Sequence, residues 1–267
     1  MIVCETGCEG GCIMIASLTA KPVCLLPKWL SDLQDDFYLN FIKEDRYLYL
    51  LRGLWMTLKI TFFAVILGIA LGVIAAIVRS THDKNISEMR PGLGRVLLKI
   101  SNALVKLYLT VIRGTPVVVQ LMITYYIIFA SSTNQMLVAV LAFGINSGAY
   151  VAEIIRSGIM SIDNGQFEAG RSLGLNYIQT MTYIIIPQAF KNVLPALANE
   201  FIVLIKETSI SGYVGIMDLT RGGDVIRSRT FSPFLPLFAV ALIYLIIVVF
   251  FSKLVSILER RLRNSER

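Results

Sequence analysis

Charge is scarce in this chain: 16% of its 267 residues are Asp, Glu, Lys or Arg, against the roughly 25% usual in soluble domains. Histidine is scarcer still, with His82 alone, in a basic stretch where it reads as a solvated loop residue. One histidine leaves no His cluster for a metal centre or for nucleophilic chemistry, so a membrane enzyme is not expected, nor a cofactor. Cysteine is confined to the first 24 positions, at Cys4, Cys8, Cys12 and Cys24. Their four-residue spacing lacks the paired C-x2-C ligands of structural zinc sites, so no metal site is expected and the cysteines read as incidental. Residues 1–30 also lack a basic n-region followed by a long apolar run, and no cleavable signal is expected; initiation at Met14 would remove three of the cysteines.

What is abundant is apolar surface. Hydrophobic residues make up 55% of the chain, and mean hydropathy is +0.69. They gather into five runs near the ~20 residues that cross a hydrocarbon core of about 30 Å. The expected fold class is therefore all-α, a polytopic membrane protein with five transmembrane helices, at about 54–78, 107–130, 136–155, 192–213 and 234–257. Together they form one permease-like domain, 54–258. Residues 1–53 are expected to be an extracytoplasmic segment, ordered only in part, and 259–267 a basic tail. The net charge of +7 comes from Lys and Arg placed between apolar runs, which fits a membrane surface and not nucleic acid.

Those cations also set orientation, because basic loops stay in the cytoplasm. Arg79, Lys84, Arg90, Arg95, Lys99 and Lys106 share one loop with only Asp83 and Glu88, and the tail from Lys253 is basic as well. The amino-terminal segment is acidic through Asp32, Asp35, Asp36, Glu44 and Asp45. An N-terminus outside and a C-terminus inside follow, although Arg221, Arg227 and Arg229 fall outside, offset by Asp218 and Asp224.

Within the first run, Ala64, Gly68, Gly72 and Ala76 recur every four residues, a ladder of small side chains that admits a close helix neighbour. In the second run Arg113-Gly114-Thr115-Pro116 places the membrane-deep start near Thr115, with Pro in the first turn and Arg113 reaching for the cytoplasmic boundary. Lys59 is expected to reach outward in the same manner. In the third run Asn146, Tyr150 and Glu153 fall on one helical face. They could line a pathway in which Glu153 meets a charge on the solute, or Glu153 could pair with Arg156 one turn on. In the fourth run Glu200 and Glu207 share a face, with Lys206 beside them, and a site in the pathway or subunit interior or at the outer interface is open.

The stretch 158–187 is too ordered for a plain linker. An acid at Asp163 starts a helix, Gly174 ends it, and Pro187 is expected to punctuate a second one. Ala169, Leu173, Tyr177 and Ile178 would form an apolar knob. Gly165, Gly170, Arg171 and Ser172 fit G-x4-G-R-S, one residue from a phosphate-binding loop, but no apolar strand precedes them and Arg stands where Lys is needed. ATP binding here is excluded.

From Glu168-Ala169-Gly170 through Gly174 to Ile184, Ile186 and Pro187, this stretch resembles the EAA motif of ABC importer permeases, the loop that docks into the ATPase subunit. Gly170 stands for the third-position Ala, and Ile186 for Leu. Residues 113–121, 149–156 and 206–209 are similar to segments of the polar-amino-acid branch. The resemblance covers roughly 51–261. It implies a type I importer fold and a non-catalytic subunit in the plasma membrane of a prokaryote. It also implies ABC ATPase subunits, a second permease subunit, an extracytoplasmic amino-acid-binding protein and a polar amino acid as solute. Glu168, Ala169, Gly170, Leu173, Gly174, Tyr177 and Pro187 would couple to the ATPase. A gradient-driven transporter or channel is the rival reading, and it does not require a docking loop.

Overall fold

The computed structural model describes residues 28–86, 89 and 91–264. The cysteines and Met14 lie outside them. Every regular element among the described residues is helical. The order is α1 (Lys28–Phe37), α2 (Tyr47–Asn85), α3 (Leu93–Gly114), α4 (Val117–Ile123), α5 (Gln135–Met160), α6 (Asn164–Ser172), α7 (Tyr177–Thr180), α8 (Ile186–Glu207), α9 (Leu219–Thr230) and α10 (Phe234–Asn264). Single π-turns at Thr124–Ile128 and Met181–Ile185 extend α4 and join α7 to α8.

Three helices, α2, α5 and α10, are long and apolar enough to cross a membrane. The pair α3 with α4 and its π-turn passes the same test only as one span bent by 109°. The bend has a local cause. Thr115 precedes Pro116 and is held extended (φ −122°, ψ 147°), as the pyrrolidine ring demands of its neighbour. Pro116 is thus the cap of α4, one residue before the position expected for it. The run 107–130 hides a second feature, since α3 begins at Leu93, upstream of the expected span. Span 4 also shifts: α8 covers Ile186–Glu207, and Thr208–Val214 form a 3-10 turn. Pro187 does not end a helix; it occupies the first turn of α8, where a missing N–H is harmless. His82 lies in the last turns of α2, its Nδ1 3.4 Å from Asp83, and not in a loop.

At 39 residues α2 is about 58 Å long, well beyond the hydrocarbon core. Its ladder of small residues packs on α5. A Cβ added at Gly68 would lie 3.0 Å from the Ser147 side chain, and one at Gly72 would lie 2.9 Å from the Ala152 backbone nitrogen. On the partner helix, Gly144 admits Leu67 in the same way. So α5 is central, with 61% of its apolar window buried, whereas α10 has 11% buried and faces outward. At the far end of α2, Phe41, Leu50, Leu219, Ile226 and Val240 form a second core that fastens the segment before α2 to α9 and α10.

Candidate functional site

The elbow between α5 and α8 is built from local signals. Asp163 caps α6 by accepting from Gly165 N–H at 2.6 Å. At the other end, Leu175 N–H donates to Gly170 carbonyl (3.0 Å) and Gly174 N–H to Arg171 carbonyl (2.9 Å). This pair of bonds is a Schellman closure, and it needs a left-handed residue, supplied by Gly174 at φ +77°. Then Asn176 and Gln179 satisfy each other's backbone N–H groups at 2.9 Å, starting α7. Two short helices meeting at Gly174 are therefore what the chain forms.

Gly170, where the motif has Ala, is explained by α7. A Cβ there would lie 2.7 Å from both Cγ2 and Oγ1 of Thr180. Behind this contact Ile159, Ile185 and Ala189 are buried with Phe167, Met181 and Ile184 packed on them, so the elbow is seated on α5 and α8. The end of α2 holds it too: Lys84 Nζ donates to Asn164 Oδ1 at 2.9 Å and lies 4.4 Å over the Phe167 ring. What faces out is apolar, with Leu173 75% and Ile178 73% exposed. Glu168 and Ala169 are exposed beside them, Tyr177 is half-buried, and Pro187 is exposed at the start of α8. Burial pushes the Tyr177 hydroxyl above its ordinary pKa. An apolar, stiffly braced projection of this kind suits a protein socket, since exposed Leu and Ile on a two-helix hook have little other use.

The second set of residues separates into two layers. Asn146 is buried, and its Nδ2 donates to Gln120 Oε1 at 2.9 Å. Gln120 Nε2 in turn donates to Ile112 carbonyl (2.7 Å) and to Thr115 (2.8 Å to Oγ1), tying the two halves of the bent span. Asn146 Oδ1 has no partner among the described residues. One residue on, Ser147 Oγ donates to Glu200 Oε1 at 2.9 Å, so Glu200 of α8 meets α5 in the buried interior.

Toward the elbow the layer is ionic. Arg156 grips Glu153 at 2.6 Å, Arg113 approaches the same carboxylate at 3.8 Å, and Asp83 lies 3.9 Å from Arg156. Arg113 also lies 5.8 Å over the Tyr150 ring. Arg113, Gly114, Tyr150 and Glu153 line a cleft of about 580 Å³ with Arg79 and Lys106. The Glu153–Arg156 pair is present, and Asn146 points to a different neighbour from Tyr150 and Glu153. Lys59 rests over Trp55, 5.1 Å from the ring. Sequence reasoning missed Gln120, Ser147, Lys84 and Thr180. Gln120 could have been found, as the one amide in an otherwise apolar seven-residue helix.

The profile described as binding-protein-dependent transport system inner membrane component matches residues 92–264. The chain is similar to the putative glutamine transport system permease protein GlnP of Rickettsia prowazekii (strain Madrid E). Identity is 37% over 218 residues, 80% of this chain and 93% of that one. It is 36% identical over 221 residues to the arginine transport system permease protein ArtQ of Bacillus subtilis (strain 168), covering 82% and 94%. Among solved structures, an amino acid ABC transporter with histidines superposes with a TM-score of 0.72 at 42% identity, covering 83% and 98%. The MetNI methionine ABC transporter, inward facing, shares the fold with a TM-score of 0.67 at 20% identity, covering 81% and 97%. Helical architecture, braced elbow and matched length agree: the chain belongs to the binding-protein-dependent transport system inner membrane component family.

Proposed function

We propose that this chain is the membrane-spanning subunit of an ATP-driven, binding-protein-dependent importer of polar amino acids, and that a separate ATPase supplies the work. The reading is carried by the elbow 158–187, whose exposed Leu173 and Ile178 stand on a frame braced by α2, α5 and α8. Relatives named as glutamine, arginine and cystine permeases favour polar amino acids as solutes. In this reading α2, the α3–α4 pair, α5, α8 and α10 make five crossings, the N-terminus is outside, and the elbow lies in the cytoplasm. Two permease subunits, two ATPase subunits and an extracytoplasmic binding protein complete the complex. Nucleotide-driven closure of the ATPases moves the elbow as a lever, and the packed spans tilt between outward and inward states. Glu168, Ala169 and Gly174 transmit the motion. Asn146 with half-buried Gln120, and the buried Ser147–Glu200 pair, line the pathway. Reconstitution tests this directly: proteoliposomes with the ATPase and binding protein accumulate labelled amino acid only with ATP. Solute movement down a gradient through the chain alone would establish the rival channel reading instead.

A further inference from the structure

Helix α3 has three distinct faces. One packs inward, with Leu109 buried against Ala75, Ala149 and Ala152, and Tyr108 OH donating to Ile145 carbonyl at 2.6 Å. A second carries Leu93, Leu97, Ile100, Leu104, Leu107 and Val111, each at least half exposed, at alternating spacings of four and three. The third carries Arg95, Lys99, Lys106 and Arg113, spaced by four, seven and seven, which places all four within about 40° around the helix axis. A helix with an apolar face and a separate basic face can hold its apolar side in the acyl chains and its cations near lipid head groups.

The basic face also borders a cavity. Lys106 and Arg113 line the cleft of about 580 Å³ together with Arg79, from the inner end of α2. Three cations face a single carboxylate there, Glu153, which Arg156 already holds at 2.6 Å. Arg79 Nε is buried and has no hydrogen-bond partner among the described residues. Arg79 as a whole is half-buried, and an anion in the cleft would give this donor an acceptor and balance the three cations. One turn up α2 lies an apolar groove of about 380 Å³, lined by Leu71, Ile74, Leu104 and Val105. A charged cleft beside a greasy groove matches a molecule with an anionic head and hydrocarbon chains.

We propose that the Arg79–Lys106–Arg113 cleft binds the phosphate of an anionic phospholipid, whose acyl chains lie along α2 and α3. The site rests on the cytoplasmic placement of the elbow only for its leaflet, because Lys84 joins the same end of α2 to α6. The lipid neutralises the excess charge beside Arg113 and thereby steadies the bent span at Thr115–Pro116.

The test uses the full chain with its partner subunits, in nanodiscs of equal phosphatidylglycerol and phosphatidylcholine. Native mass spectrometry counts the lipids retained after transfer to detergent. Retention of phosphatidylglycerol over phosphatidylcholine is expected, and Lys106→Gln or Arg79→Gln should cut the preference about fivefold each, with Arg79→Lys restoring part of it. Equal retention of both lipids, or a preference unchanged in the glutamine variants, overturns the site. Inorganic phosphate that abolishes the preference at millimolar concentration would also overturn it, by assigning the cleft to a free anion. ATP-driven uptake measured on the same samples separates the two readings: an unmutated complex that retains both lipids equally yet takes up solute removes the lipid site and leaves the transport function standing.

Discussion

Gly170 is the point at which a single methyl group should report on the rigidity of the elbow. An ideal Cβ at this position lies 2.7 Å from Thr180 Cγ2, 2.7 Å from Oγ1 and 3.2 Å from Cβ. Rotation of Thr180 about χ1 therefore exchanges one clash for another, and Thr180 is buried. Overpacking of this kind costs about 1–3 kcal/mol. Alanine is the better helix former by about 1 kcal/mol, and position 170 is inside α6, so the net loss in Gly170→Ala is about 0–2 kcal/mol. Thr180→Ala removes both crowding atoms and a hydroxyl with no partner among the described residues, leaving the helix-propensity gain unopposed in the double variant. The expected coupling is about 1–3 kcal/mol, the overpacking that the double variant relieves. The assay is a double-mutant cycle on thermal unfolding in detergent, paired with ATP-driven uptake in proteoliposomes. Gly170→Ala should lose stability and uptake together, and the double variant should regain both. Additivity within about 0.5 kcal/mol would refute the claimed contact.

Gly174 differs, because nothing lies within 4 Å of a Cβ placed there and only its φ of +77° forbids a side chain. Gly174→Asn should then keep most uptake, whereas Gly174→Val should uncouple it, with about 1–2 kcal/mol of backbone strain and ATP hydrolysis by the complex retained; equal uptake in the two variants would contradict the assignment. On α2, Gly72→Leu should abolish folded yield in detergent, since its Cβ alone would lie 2.6 Å from Val151 Cβ, while Gly92→Ala, with open space around it, should be silent. Asp218 supplies a pH signature. It caps α9 through the Thr220 and Arg221 N–H groups, yet burial pushes its carboxyl up from 3.8 to about 6. The folded chain thus binds this proton more tightly than the unfolded one, so Asp218's own contribution to stability is full below pH ~4 and falls by about 3 kcal/mol as pH rises through ~6. Asp218→Asn keeps an accepting cap and should flatten that dependence in melting scans between pH 4 and 7.

The ladder Ala64, Gly68, Gly72 and Ala76 was legible because helix packing in lipid depends on small residues at fixed spacing, and α5 sits against it. The elbow was legible for a similar reason: Asp163 and Gly174 act through their own backbone, within a few residues, while the Asn176 cap went unread. Pro187 misled because proline fits both just after a helix and inside its first turn, and only the π-turn before it decides which. Helix α9 was missed because only Leu219 and Ile226 of its apolar residues reach the core, and its glycines pack by backbone approach. Gly222 closes on Tyr49 carbonyl and Gly53 on Leu219 Cα, contacts that no hydropathy pattern records. The pairs Asn146–Gln120 and Ser147–Glu200 join residues 26 and 53 apart. They follow from which helices meet, and a single chain of letters does not state that.

The central claim is that work enters through the exposed face of the elbow, and one reconstitution measures it. In proteoliposomes holding the complete complex, Leu173→Asp places a charge on the exposed end of α6 without touching the buried Ile159–Ile185–Ala189 seat. Loss of both ATPase co-purification and ATP-driven amino acid uptake, with an unchanged melting temperature of the chain alone, is the predicted result. Full uptake with the ATPase still bound would contradict it.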